Sequence, residues 1–191
     1  MILEVMPKII ITHVADMIQE YRHVSILAIR RMVNFVRLFR LLLELYPEVE
    51  KEIDTKIESF IKNPELRTKD HCHSLGDLLA MVTVSQKYKI EDVLPAYLEE
   101  QLDRQVFWIL KEIPELDHED KKYKDKEVIV EEEKSETCFK TGLVGFHITL
   151  FFNHFNKMVM EKGGKNLAKF SEFVDSRFGC LLQSEEDQFQ K

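Results

Sequence analysis

The sequence predicts an all-α fold, a compact bundle of about seven helices, and three observations lead to this. Apolar residues recur every three or four positions along most of the chain, which is the period of an α-helix. No segment shows a convincing strand pattern of alternating apolar and polar residues. The five prolines lie where helical patterns begin or end. A stack of helix pairs, as in an α-solenoid, is the alternative architecture, although no clean internal repeat is present.

The composition limits the class of protein. The chain has 191 residues, of which 45% are hydrophobic and 32% charged, and this predicts one globular helical domain over residues 1–191. A net charge of −7 disfavours a general nucleic-acid binder. Cys72, Cys138 and Cys180 are too few and too far apart for a disulfide framework, which favours a reducing, cytoplasmic location. We expect no secretory signal, because the first residues lack a basic region, a long apolar run and a cleavage site of small residues. We also expect no membrane span, because the stretch 141–156, which lacks Asp, Glu, Lys and Arg, is too short.

The longest apolar stretch, residues 24–46, predicts a helix around which the others pack. It is apolar on nearly every side, and its few polar residues recur at helical spacing. These polar residues are Arg30, Asn34, Arg37, Arg40 and Glu44. Such a helix needs neighbours on most sides, so we expect four of its leucines to be nearly fully buried. They are Leu38, Leu41, Leu42 and Leu45.

Six further helices follow from the same periodicity. They are predicted over residues 7–20, 47–62, 75–87, 91–112, 137–161 and 165–178. Pro7 suits the first position of a helix, where its missing N–H costs nothing. Ser74 with Asp77 three residues later is typical of a helix N-terminus. The pair Gly163 and Gly164 predicts a helix stop.

Residues 115–136 interrupt this pattern. The segment is mostly charged, with both signs mixed, and its only apolar run is Val128, Ile129 and Val130. Such composition is typical of an exposed connection, so we expect a mobile link that proteases cut first.

The cluster His71, Cys72 and His73 is the strongest candidate for chemistry. Imidazole and thiolate groups are zinc ligands, and a cysteine beside a histidine can act as a nucleophile. Three consecutive side chains rarely point at one ion, however, and a complete ligand set needs residues from elsewhere, such as His118 or Cys138. A metal- or thiol-dependent enzyme centred on this cluster is therefore an alternative, and a polar loop is the simpler interpretation.

Two further sets of side chains have simpler explanations. His147 and His154 lie seven residues apart, about 10 Å along a helix, which is too far to share one ion. We expect them in the core or at an interface. Arg30, Arg37 and Arg40, with Arg31 alongside them, suit phosphate groups, which leaves nucleic-acid binding as a second alternative. Pairing with the many acidic residues of the chain is the favoured interpretation.

One stretch resembles a known type of region. Residues 74–110, SLGDLLAMVTVSQKYKIEDVLPAYLEEQLDRQVFWIL, resemble an uncharacterised all-helical region of large multidomain proteins, some of which also carry a ubiquitin-conjugating-type domain. The similarity extends to residues 37–50 and, more faintly, to residues 170–179. The His-Pro-Asn motif of a conjugating enzyme is missing. The resemblance therefore implies a helical module associated with that context, without a conjugating activity.

The sequence favours a non-enzymatic helical module for protein–protein interaction or scaffolding. No catalytic motif or cofactor-binding motif is present, and large hydrophobic residues surround the 137–161 helix on several sides. An exposed patch of such residues marks a surface for a protein partner or for self-association. The predicted surface consists of Phe151, Phe152, Phe155, Met158 and Met160.

Overall fold

The computed structural model describes residues 1–19, 24–117 and 132–179. These residues form seven α-helices and no strand, which confirms the predicted all-α fold. The helices are α1 (Ile2–Gln19), α2 (Ile26–Leu45), α3 (Pro47–Lys62), α4 (Leu75–Val84), α5 (Ile90–Glu112), α6 (Glu132–Phe155) and α7 (Leu167–Val174). Short 3-10 turns span Pro64–Leu66 and Pro114–Leu116, and π-helical turns follow α6 and α7 at Asn156–Met160 and Asp175–Gly179.

Helices that are distant in sequence pack against one another. Helix α1 contacts α4 and α6, and α2 contacts α7. In a solenoid each unit contacts only its neighbours along the chain, so these contacts favour the bundle over the solenoid-like alternative.

The centre of the bundle is α4, although it has only 10 residues. It packs against α1, α2, α3, α5 and α6. Its buried residues are Leu78, Leu79, Ala80, Val82, Thr83 and Val84. The predicted N-terminus is confirmed, because the Ser74 hydroxyl accepts a hydrogen bond from the Asp77 backbone N–H at 3.1 Å.

Helix α2 packs through one face only, against α1, α3, α4 and α7. The buried face consists of Ile29, Met32, Val33, Val36, Phe39 and Leu43. The expected burial of four leucines is wrong. Leu38, Leu41 and Leu45 are 46%, 51% and 64% exposed, and Leu42 is half-buried. Leu38, Leu41 and Leu45 lie on the side of the helix opposite the core, because their positions are about half a turn away from the buried face.

The interaction surface predicted on the 137–161 helix is wrong for its three phenylalanines, which are not exposed. Its five residues are Phe151, Phe152, Phe155, Met158 and Met160. All three phenylalanines are fully buried, and the two methionines are half-buried. The ring of Phe170 from α7 lies 5.2 Å from that of Phe151 and 5.6 Å from that of Phe155, measured between centroids. Packing of these rings holds α7 against α6, so the phenylalanines form core.

Two of the helices that begin earlier than predicted, α1 and α5, each contain a proline. Helix α1 starts at Ile2 rather than at Pro7, and α5 starts at Ile90 although Pro95 lies inside it. Each proline is the sixth residue of its helix. A proline at this position removes one backbone hydrogen bond to the first turn, and packing further along these long helices outweighs that loss.

The charged segment 115–136 is only partly described. Residues 118–131, including Val128, Ile129 and Val130, lie outside the described residues. At its two ends, Pro114–Leu116 forms a 3-10 turn and α6 begins at Glu132, five residues before the predicted start. The helix stop at Gly163 and Gly164 is confirmed, since both glycines have positive φ angles of 67° and 78°.

Glu58 on α3 connects that helix to the turn between α4 and α5. Its carboxylate accepts hydrogen bonds from Lys87 Nζ and from the Tyr88 hydroxyl, each at 3.0 Å, and it also pairs with Lys62. Hydrogen bonds from Lys62, Lys87 and Tyr88 lower the pKa of Glu58 from 4.5 to about 2. The charged form of Glu58 is therefore favoured by the folded state.

This lowered pKa predicts an acid-dependent contribution to stability. A carboxyl group whose pKa is lower in the folded state stabilises the fold above its ordinary pKa, and the contribution is lost as the pH falls from about 4.5 toward 2. Glu58→Gln should make unfolding less sensitive to pH in this window, as measured by urea denaturation. Glu112→Gln, an exposed acid on α5, is the control and should leave the pH dependence unchanged.

The two faces of α2 predict different costs for the same substitution. Leu43 is 4% exposed, whereas Leu41 on the same helix is 51% exposed. Leu43→Ala should lower the free energy of unfolding by about 2–5 kcal/mol, because it leaves a cavity. Leu41→Ala should change it by less than about 1 kcal/mol, because no packed cavity forms. Chemical denaturation measures both values, and equal losses would contradict the orientation of α2.

Candidate interaction surface

The outward face of α2 is an exposed apolar line. Leu38, Leu41 and Leu45 follow each other at spacings of three and four residues, so they lie on one side of the helix. Leu27 belongs to the same side and is 56% exposed. Tyr46, directly after the helix, is exposed as well. Scattered exposed leucines are ordinary, but a row of them on one helix face is typical of an interaction site.

Arginines flank this apolar line toward the N-terminus of α2. Arg30, Arg31 and Arg37 are exposed, and none of them forms a salt bridge within the described part of the chain. Arg37 Nη2 donates to the backbone carbonyl of Gly163 at 3.3 Å. We expected these arginines to form salt bridges with acidic residues of the same chain, and within the described residues these three do not. They leave positive charge available to another molecule.

The four arginines of the predicted stripe do not act as one row. Arg40 is half-buried and lies toward α4, where its Nη2 donates to the Thr83 carbonyl at 2.8 Å. The positive charge of the outward face therefore comes from Arg30, Arg31 and Arg37 alone. A row of phosphate-binding arginines along α2 would have needed Arg40 on the same side.

Acidic residues lie at the other end of the same surface. Glu44 on α2 and Glu48 on α3 are both exposed and form no salt bridge with the described residues. The surface around the leucines thus has exposed arginines between Arg30 and Arg37, and exposed acids near the C-terminal end of α2 at Glu44 and Glu48. Such a surface is complementary to another surface with the opposite order of charges.

One sequence signal could have located this surface. The buried face of α2 carries six large apolar residues and one polar residue, Arg40, whereas the leucine line is interrupted by Arg31 and Asn34. The side with fewer polar residues faces the core, since a polar residue there needs a partner such as the Thr83 carbonyl that Arg40 finds. Counting apolar residues around the whole helix hides this difference.

The His71, Cys72 and His73 cluster lies in the loop between α3 and α4, which two arginines hold in place. Arg67 is buried and donates to the carbonyls of Phe60 and Ile61 and to Glu99. Arg104 on α5 donates to the carbonyls of Arg67 and Cys72, each at 2.6 Å, and to that of His73 at 3.3 Å. These bonds satisfy backbone groups that a loop otherwise leaves to water.

The surroundings of Cys72 do not favour a reactive thiol. Burial raises the pKa of the Cys72 thiol, and the nearby Arg104 charge opposes this only in part. Its Sγ contacts the Ser74 carbonyl at 3.8 Å, and both neighbouring histidines are exposed. The loop borders a cleft of about 420 Å³ that is lined by apolar residues such as Leu66 and Met81. Among the described residues, no three or more His, Cys, Asp or Glu side chains are placed to hold a metal ion.

His147 and His154 pack against aromatic residues near the end of the chain. His147 lies 5.1 Å from the ring of Phe178, and burial lowers the pKa of His147. His154 stacks on Phe173 with centroids 4.2 Å apart, while its Nδ1 lies 3.0 Å from the Leu150 carbonyl. Both histidines thus contribute to the packing of α6 against α7 and the turn that follows it.

Comparison with protein-family models, with curated proteins and with solved structures gave no match to this chain. The resemblance of residues 74–110 to a helical region of multidomain proteins therefore stays a prediction. None of the helices in the described ranges has the length and apolar character needed to cross a bilayer.

The raised pKa of Cys72 makes the thiol-enzyme alternative testable. Alkylation by iodoacetamide requires the thiolate, so its rate at Cys72 should be low at neutral pH and rise only above the ordinary pKa of a thiol. Peptide mapping by mass spectrometry follows this residue separately from the other cysteines. Fast alkylation at neutral pH, with a titration below the ordinary thiol pKa, would restore the nucleophile hypothesis.

Proposed function

We propose that this chain is a non-enzymatic helical module for protein–protein interaction, and that the outward face of α2 is its contact surface. The observation that supports this most is the exposure of Leu38, Leu41 and Leu45 in one row. The hydrophobic effect favours covering such a row, by roughly 25 cal/mol for each Å² removed from water. The neighbouring charges then give the contact its orientation.

A second copy of this chain is the partner that we propose for this surface. Two α2 helices that meet antiparallel around Leu38 and Leu41 bring the leucines of both copies together. The same arrangement brings the arginines at the start of one helix near Glu44 and Glu48 of the other copy. A symmetric dimer uses the same surface on both copies, and the opposite charges at the two ends of this surface suit that symmetry.

Leu41→Glu tests the contact surface, with Leu102→Glu on α5 as the matched control. The two leucines are 51% and 50% exposed, so both variants should fold. Light scattering over a range of protein concentrations should show a dimer for the native chain and for Leu102→Glu, and a monomer for Leu41→Glu. A native chain that is monomeric at every concentration would exclude self-association, and affinity capture with the native chain and Leu41→Glu would then test for a different protein.

The charges give a second, independent test of the antiparallel arrangement. Arg31→Glu should weaken the dimer, because it places two acids near each other. Adding Glu48→Arg to the same chain should restore the dimer, because the two positions then carry opposite charges again, with the acid and the arginine exchanged. Dissociation constants from sedimentation equilibrium provide the comparison. A double variant no tighter than Arg31→Glu would show that these residues do not meet.

A further inference from the structure

A second cleft, on a different side of α2 from the leucine row, has the features of a small-ligand site. It has a volume of about 330 Å³ and lies where the end of α4, the start of α5 and the π-helical turn after α6 meet. Arg40 of α2 forms part of its wall, together with Lys89, Lys157 and Asn153. A volume of this size is at the small end of the range for ligand pockets, roughly 300–1,000 Å³.

Arg40 carries a partly buried charge that no carboxylate in the described residues balances. Its Nη2 donates to the Thr83 carbonyl at 2.8 Å, and its Nε is enclosed without a hydrogen-bond partner. Burial lowers the pKa of Arg40, which shows that its surroundings disfavour the charged form. Charged groups inside proteins are normally paired, so the fold here leaves an electrostatic cost that an anion would offset.

The other charged groups of the cleft indicate how much negative charge it accepts. Lys157 is already paired with Glu91 at 2.8 Å. Lys89 and Glu161 are the remaining charged side chains, and both are exposed. With Arg40, the cleft has three cationic groups and two carboxylates, which leaves one positive charge in excess. A singly charged anion balances this excess, whereas a phosphate dianion exceeds it.

The neutral residues of the cleft indicate the rest of the ligand. Asn153, Asn156 and Gln86 offer amide groups, and the Asn156 Nδ2 already donates to the Thr83 hydroxyl at 3.1 Å. Val82 and Ile90 provide apolar wall. The cleft therefore combines a cation for an acid group, amides for hydrogen bonds and a surface for a short apolar body.

We propose that this cleft binds a small carboxylic acid with a short apolar body, and that Arg40 binds its carboxylate. Guanidinium groups suit carboxylates because their donors match the two oxygens. The simpler explanation is that Arg40 only caps the C-terminus of α4 through the Thr83 carbonyl. That role accounts for one hydrogen bond and requires no ligand, so the two explanations predict different responses to added carboxylates.

Titrations with acetate, butyrate and inorganic phosphate at constant ionic strength test the proposal. The side-chain amide signals of Asn153 and Asn156 in NMR spectra should shift and saturate with the carboxylates. Butyrate should bind more tightly than acetate, by up to about fourfold for each methylene that becomes buried. Shifts that do not saturate, or that chloride reproduces, would overturn the proposal. Tighter binding of phosphate would overturn the assignment to a carboxylic acid.

Arg40→Met and Arg37→Met form a matched pair on the same helix. Arg40→Met should abolish the saturable shifts, and Arg37→Met, which changes an exposed arginine of the α2 outward face, should retain them. Asn153→Leu is a second cleft variant from α6 and should weaken binding at least severalfold if Arg40→Met does not fold. Equal binding by the native chain, by Arg40→Met and by Asn153→Leu would show that the cleft is not the site.

Discussion

The burial of α4 is the constraint on which the rest of the bundle depends. This short helix touches five others, so each of them must turn an apolar face toward the same place. Polar groups at the two ends of a largely buried helix need hydrogen-bond partners, and three such bonds are present at α4. Ser74 caps its start, the Thr83 hydroxyl bonds to the Leu79 carbonyl, and Arg40 bonds to the carbonyl of Thr83 near its end.

This arrangement explains why α2 has two different sides. The side toward α4 is fixed by close packing, which tolerates only apolar residues of suitable shape. The opposite side has no helix of the described chain over its leucines, although it is apolar enough to be buried. The arginines and acids along that side form no salt bridge with the described residues, and Arg37 donates to the backbone carbonyl of Gly163. Apolar surface and unpaired charge on the same helix face are the reason for assigning it to an interaction.

The two arginines of α2 that differ most, Arg37 and Arg40, show how burial separates similar residues. Arg37 is exposed and touches only a carbonyl of the turn after α6. Arg40, three residues further along the helix, is partly buried beside a cleft and forms no salt bridge with the described residues. Arg37 therefore adds positive charge to the exposed surface of α2, whereas Arg40 places positive charge in the wall of a cleft.

Sequence periodicity alone was sufficient to predict the all-α class and the approximate position of every helix. Local chemistry also predicted the cap at Ser74 and the stop at Gly163, because these depend on residues a few positions away. The three phenylalanines of the surface predicted on the 137–161 helix are buried. A cluster of phenylalanines such as Phe151 and its neighbours can form either an exposed patch or part of the core. The packing of Phe170 against Phe151 places this cluster in the core.

Tertiary structure alone decided which side of each apolar helix is covered. Leu41 and Leu43 are the same residue two positions apart, and in the sequence only the polar residues of the two helix faces, such as Arg31 and Asn34 on the side of Leu41, point to a difference. Their exposures of 51% and 4% follow from where α1, α3, α4 and α7 pack. The hydrogen bonds of Arg40 and Arg104 to backbone carbonyls were equally hidden, because those partners are distant in sequence. Periodicity specifies a helix and its faces, whereas burial depends on neighbours that the fold brings together.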